Sequence, residues 1–331
     1  MFYKWEDSMN YNRRDILRTI MEAGEISLSE LARRTGYSRS GAWKRVMKLA
    51  EEGLVEIEKR GKILVVRPSP RAPANGIILV GILRAAEYPY IIPFLRKLRG
   101  RYENVYVKVY DDPYLEVNHL ISGKLHLAMA PLPTLILAHR VSGGRVHIIG
   151  GGSGGGAGIA RSRIDKPYSR GHATTMASSM EYCAEKHGLE PPRIYASSGD
   201  EILYLVVGGR VKAAPLWEPY LSMAMSFGLK VEPCDLEVCC LLGANSMLEG
   251  EYERISRMME DSVSEAMRRL GDPVLRDSLS SLTGLPQELV ERSMASYRFY
   301  ENPPVDILYK SVDTIRRVIV PGSVVKDVVR A

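Results

Sequence analysis

Long apolar runs are what this chain most clearly lacks. The longest, around residues 77–83, has the length of a strand and falls far short of the roughly 20 residues that cross a bilayer. No membrane partner is expected. The opening stretch Met1-Phe2-Tyr3-Lys4-Trp5-Glu6-Asp7 holds neither an apolar core nor a small-residue cleavage site, so it does not read as a secretory signal, and a cytoplasmic location is expected. Cysteine is scarce as well: Cys183, Cys234, Cys239 and Cys240 do not make a disulfide framework in 331 residues. The group Cys234-x4-Cys239-Cys240 lacks a zinc spacing, and Val238, Leu241 and Leu242 around it mark Cys239 and Cys240 as buried strand residues. His119, His126, His139 and His147 are not paired at helical spacing. No metal site and no cofactor is expected, and no nucleophile or acid–base set with a recognisable spacing names a catalytic residue.

Positive charge is present but uneven. Residues 1–73 carry 15 of the 45 Lys/Arg and 10 of the 39 Asp/Glu, leaving the rest of the chain near neutrality within a net charge of +6. A basic small domain beside a neutral large one is the asymmetry of a protein that meets nucleic acid with one part only.

Residues 1–68 supply that part. Ile16, Leu17, Ile20 and Met21 recur at helical spacing after Asn12, and Gly24 stops the helix. Ser27 or Ser29 can cap a second helix ending at Gly36. Ser38 then caps a third, with Ala42, Val46 and Leu49 inward. Helix, glycine turn and helix over residues 31–38 form the helix-turn-helix pattern. Two strand-like runs, residues 54–58 and 62–66, flank the basic tip Lys59-Arg60-Gly61. Three helices and a hairpin in this order resemble winged-helix regulators. The resemblance implies that the third helix enters the major groove of double-stranded DNA through Ser38, Arg39, Ser40, Trp43, Lys44 and Lys48, while Lys59, Arg60 and Lys62 on the wing reach the backbone. Trp43 is ambiguous, because such a residue is more often core packing than a base contact.

A Pro-rich stretch, residues 69–76, reads as an extended linker. Beyond it, over residues 77–331, strand and helix signals alternate, which argues for a parallel sheet flanked by helices. Two stretches repeat a helix end, a glycine turn and a strand: residues 120–131, with Gly123 and Pro131, and residues 206–215, with Gly208 and Pro215. Two copies suggest two similar lobes.

These stretches, with the Trp217-Glu218-Pro219 segment and its helix ending at Gly228, resemble type II periplasmic binding proteins, especially the branch for sulfonates, taurine, nitrate and the thiamine pyrimidine precursor. The fold class that follows is α/β: a two-lobed binding-protein-like domain preceded by a small winged helix. The repeated step carries His126 and Lys212 where that family has an Asp of largely structural role. The resemblance places ligand between the lobes, at strand carboxyl ends and helix N-termini. Candidates there are Arg84, Glu87 and Tyr88; Pro131 and Thr134; Gly152, Ser153 and Gly154 at the crossover; His172, Thr174 and Thr175 opening a helix of the second lobe; and Asp200, Trp217 and Glu218. Tyr88 and Trp217 could stack on a planar ligand.

The run Gly150 to Gly158 also fits a dinucleotide fingerprint and a nucleophile elbow, but both need a helix next, whereas residues 158–161 look like a strand. It reads instead as a flexible crossover or a ligand edge. The expected function is a ligand-responsive, homodimeric transcription regulator sensing a small anionic or heteroaromatic metabolite. The alternative is a cytoplasmic enzyme on the same fold, of the thiamine pyrimidine or menaquinone-precursor type, with His172 and Glu218 in its cleft.

Overall fold

The computed structural model describes residues 2–3, 11–69, 73, 76–164, 166–302 and 306–309. Most of the Pro-rich linker lies outside them.

After strand β1 (Phe2–Tyr3) the chain builds its basic domain: α1 (Tyr11–Ala23), β2 (Ile26–Ser27), α2 (Leu28–Thr35), α3 (Arg39–Glu51), β3 (Val55–Arg60) and β4 (Ile63–Pro68). The sequence signals act where expected. Ser27 accepts a hydrogen bond from the Glu30 amide at 3.2 Å, and Ser38 one from the Gly41 amide at 3.1 Å, each satisfying a donor at a helix start. Gly24 and Gly36 close α1 and α2 in left-handed conformations, φ +68° and +73°. Ile16, Ile20, Leu31, Ala42, Val46, Leu49 and Val66 are almost wholly buried between the three helices and β4. Each large apolar side chain so buried contributes about 1.5–3 kcal/mol.

The remainder forms two lobes. Lobe one begins with β5 (Ile77–Leu83), α4 (Ile91–Arg99), β6 (Asn104–Tyr110), α5 (Pro113–Ile121), β7 (Leu127–Pro131), α6 (Leu132–Val141) and β8 (Val146–Gly155). The chain then crosses into lobe two: β9 (Ala157–Arg161), β10 (His172–Thr174), α7 (Ser179–Lys186), β11 (Arg193–Tyr195), α8 (Gly199–Val207), β12 (Ala213–Trp217), α9 (Tyr220–Ser226) and β13 (Lys230–Pro233). It returns to lobe one through β14 (Cys240–Asn245), a short 3-10 turn, α10 (Tyr252–Arg268), α11 (Pro273–Thr283), α12 (Gln287–Met294) and β15 (Tyr297–Tyr300).

The sheets run β1-β6-β5-β7-β14-β8-β15 in lobe one and β11-β10-β12-β9-β13 in lobe two. In each, three parallel strands (β6-β5-β7 and β11-β10-β12) are followed by one antiparallel strand (β14 and β9) and then a strand antiparallel to that (β8 and β13), and lobe one adds β1 and β15 at its edges. The repeated sequence step is therefore a structural repeat, with β7 and β12 in the same place. The sheets are mixed rather than wholly parallel, because β14 and β9, the strands that carry the chain between lobes, are inserted antiparallel.

His126 explains how the step survives without an aspartate. The ring is fully buried, and its Nδ1 accepts the Leu79 amide of β5 at 3.0 Å, as a carboxylate oxygen would. Burial pushes its pKa down to about 3, which keeps it neutral. Lys212, its counterpart, is exposed.

Several expectations change. Phe2 and Tyr3 pair antiparallel with Lys108 and Val107, so the chain's first strand belongs to the large sheet and not to the basic domain. Residues 172–174 form strand β10 instead of opening a helix; the helix starts at Ser179 behind its cap Ser178. The glycine run is not a flexible loop. Residues 146–155 form β8, paired with β14 and β15, and all but Gly155 are buried. Cys183 and Cys234 form a disulfide across 51 residues of sequence, a non-local pairing that spacing could not reveal.

Candidate DNA-binding face and interlobe cleft

On α3, Arg39, Ser40, Lys44 and Lys48 are exposed on the side away from Ala42, Val46 and Leu49. Their spacing follows the helical repeat, so they form one polar stripe. Ser38 contributes its hydroxyl to the cap. Trp43 is half-buried and packs against the apolar core, which is the ordinary role for such a residue. At the hairpin tip Lys59, Arg60 and Lys62 are all exposed. Arg60, however, is held by Glu25 at 2.7 Å and Glu58 at 2.9 Å, and DNA would have to compete with those carboxylates. Arg33 and Arg34 are likewise bonded to Glu30. Arg45, absent from the sequence expectations, lies over the Tyr37 ring at 4.1 Å and bonds the Gly41 carbonyl. Its position at one turn from Gly41 was the available signal.

Between the lobes a small cavity of about 30 Å³ is lined by residues that include Leu83, Glu87, Pro131, Thr175, Trp217 and Cys240. The carboxyl ends of β5, β7, β10 and β12 all reach it, so both lobes contribute equivalent edges. Four of the expected ligand residues are thus brought together: Glu87, Pro131, Thr175 and Trp217. Ser153 stands directly behind them, donating to Glu87 Oε2 at 2.7 Å, while Cys240 Sγ donates to Oε1 at 3.1 Å. Burial raises the Glu87 pKa. Beneath it Glu116 is wholly buried, with neither carboxyl oxygen hydrogen-bonded among the described residues; burial first, then Glu87, pushes it well above the carboxylate range.

Polar contacts hold the lobes together at this point. Trp217 Nε1 donates to the Arg84 carbonyl at 3.2 Å, and Thr134 Oγ1 donates to the Ala177 carbonyl at 2.8 Å. A second depression of about 390 Å³ contains Arg84, Asp111, Asp200 and Tyr220, against the turn between α11 and α12. Arg84 is bonded there to Asp111 at 2.6 Å and to the Thr283 carbonyl, and Asp200 accepts from Tyr220 at 3.1 Å.

Other expected residues lie elsewhere. Tyr88 is fully buried, its hydroxyl facing the Met129 carbonyl and Cys240 Sγ, so it offers no face for stacking. His172 stands at the start of β10, the end remote from the cavity, with Nδ1 at 2.9 Å from the Glu190 carbonyl. Thr174 ends that strand and is buried. Gly152 and Gly154 serve the β8 ladders. Glu218 is buried among Ser222 and Ser293, outside the cavity. Pro113, Ser178, Ser179, Met180 and Cys239 line the cavity without having been expected. The adjacent cysteines at a strand start were the one visible hint.

Residues 9–56 match a family model described as winged helix-turn-helix DNA-binding. No curated protein matches the chain significantly in sequence. Solved structures match the large part at low identity. The aliphatic sulphonate binding protein of Escherichia coli is 13% identical with a TM-score of 0.58, covering 77% of this chain and 92% of its own. The nitrate-binding protein of Synechocystis is 13% identical at 0.59, covering 77% and 86%. A Candida albicans protein described as having the generic periplasmic binding protein fold is 12% identical at 0.59, covering 77% and 96%. The chain therefore joins a winged helix-turn-helix DNA-binding domain to a two-lobed domain with the periplasmic-binding-protein fold.

Proposed function

We propose that this protein is a cytoplasmic one-component transcription regulator in which a small effector bound between the lobes alters the grip of the winged helix on an operator. The observation that carries the reading is the convergence of four strand ends, two from each lobe, on one cavity closed by polar contacts. An effector that favours one lobe arrangement shifts the population toward it, by as much as its affinity for the two arrangements differs. The domain division at residues 69–76 and action as a homodimer on two half-sites belong to the same proposal. Arg39, Lys44, Lys48, Lys59 and Lys62 are assigned to DNA; Glu87, Pro131, Thr175 and Trp217 to the effector.

The test has two arms. A thermal-shift screen over sulphonates, nitrate, pyrimidines and aromatic acids should find a stabilising ligand. Operator selection from random double-stranded DNA should yield a sequence whose affinity that ligand changes. Selection of no sequence by the full chain removes the regulator reading.

A further inference from the structure

The cavity floor has a donor set that the expected anionic or heteroaromatic effector does not use. Cys239 and Cys240 are adjacent in sequence and both buried, with sulfurs 3.7 Å apart. Cys240 Sγ lies 3.1 Å from Glu87 Oε1, and one donor atom from each of the three residues falls within 4.8 Å of the others. We infer that the cleft floor is a site for a single thiophilic divalent metal ion, held by Cys239 Sγ, Cys240 Sγ and a Glu87 carboxylate oxygen. The inference rests on the interlobe cleft being the effector site and names the effector's class.

Three observations support it. In a tetrahedral centre with metal–sulfur bonds near 2.3 Å, two sulfurs stand about 3.8 Å apart, close to the separation found. The free space of about 30 Å³ is that of one water or one ion and is far too small for a sulphonate without opening the lobes. The donors are themselves held in place: Ser153 occupies Glu87 Oε2 and leaves Oε1 toward the thiols, and the Tyr88 hydroxyl points to Cys240 Sγ. Among the described residues lining the cavity none is Lys, Arg or His, so no side chain there carries a positive charge to balance an anion. Binding would release the thiol protons and any carboxyl proton to solvent, leaving two thiolates and a carboxylate around the dication. Three protein ligands leave a fourth position open, and Thr175 and Ser178 of lobe two line the same cavity, so occupancy would be read by the opposite lobe.

A second set, Cys183, His187 and Cys234, must be kept apart from this one, and its disulfide makes that possible. The full-length chain would be titrated with cadmium chloride, following sulfur-to-metal charge transfer in the near ultraviolet. One equivalent should develop the band in the wild type and in Cys183→Ser/Cys234→Ser. The band should be lost in Cys239→Ser/Cys240→Ser, and Glu87→Gln should weaken binding at least tenfold. No band in the wild type, or a band that survives in Cys239→Ser/Cys240→Ser, overturns the inference. Should that last variant not fold, X-ray absorption at the cadmium edge of the Cys183→Ser/Cys234→Ser protein decides: two sulfur neighbours support the site and none removes it. An organic ligand that stabilises the protein while cadmium fails to bind removes the metal and leaves the effector cleft standing. Failure of both removes the cleft.

Discussion

Replacing Gly154 by alanine puts one methyl group where the backbone has no room. A Cβ on Gly154 would lie 1.9 Å from the carbonyl oxygen of Glu237 and 3.1 Å from that of Leu236, where real Cβ atoms stay beyond 3.0 Å. The obstacle is main chain, so no side-chain rotation relieves it, and β8 must part from the returning segment by about 1 Å or more. That segment is bonded to β8 by the Gly155 amide to Leu236 O at 2.8 Å and the Cys239 amide to Ser153 O at 2.7 Å. Losing both costs about 1 kcal/mol each, and overpacking adds about 1–3 kcal/mol. The expected destabilisation is about 3–5 kcal/mol, a large share of the roughly 5–15 kcal/mol that holds a domain folded. Gly61→Ala at the wing tip is the control: φ is +62° with nothing among the described residues within 4 Å of the added carbon, so only the left-handed penalty of about 1–2 kcal/mol applies. Urea unfolding of the full chain followed by circular dichroism gives both values from midpoint and slope. If Gly154→Ala costs no more than Gly61→Ala, the glycine run is a yielding loop after all and the packing described for β8 is wrong.

Other predictions follow from single contacts. Arg39→Ala with Lys44→Ala should abolish salt-sensitive DNA retention; if both side chains sit on phosphates, the salt slope falls by about 2 per protomer, and unchanged retention refutes the assignment of α3. Trp217→Phe removes a lobe-to-lobe hydrogen bond worth about 0.5–1.5 kcal/mol, so calorimetry should show the effector binding about 2–13-fold more weakly, with DNA affinity of the free protein kept; unaltered effector affinity would mean that this bond plays no part in closure. His126 stays neutral down to a pKa of about 3, whereas in the unfolded chain it takes a proton below 6.5. The unfolded state then binds more protons, so stability falls with acidification, by about 2–3 kcal/mol between pH 6.5 and 4.5. His126→Asn should flatten that slope, and an identical slope in both proteins would show that the ring is protonated in the fold.

The parts of this molecule visible in its sequence are those built from neighbours in the chain. Ser27, Ser38, Gly24 and Gly36 act on amides and carbonyls within a few residues, so the three helices of the basic domain were legible almost to the residue. The repeat at Gly123 and Gly208 was legible because both lobes meet the same local need, a turn into a buried strand. What escaped depends on distant partners. Phe2 and Tyr3 join a strand a hundred residues away, and Cys183 meets Cys234 only because lobe two brings them together. The glycine run looked loose because glycines usually are; here Gly154 is required by the close approach of Glu237. At the cleft, Glu87 and Pro131 could be placed by their positions after strands, whereas Thr175 was reached through an expected helix start and Trp217 through the Trp-Glu-Pro segment. Tyr88 could not, since the next turn directs it into the core, and Cys239 and Cys240 were correctly read as buried without the sequence telling what they are buried against.

The lobes are joined by two crossings that lie side by side. Gly155 donates to Leu236, Cys234 donates to Ala157, and β9 continues pairing with β13. Such a two-stranded ribbon is a mechanical filter. Sliding one strand past the other, or spreading them apart, breaks hydrogen bonds, whereas flexing the ribbon out of its own plane breaks none. Bending is therefore the motion of lobe two that costs these crossings the fewest hydrogen bonds, and under the function proposed above an effector in the cleft would act through that bend.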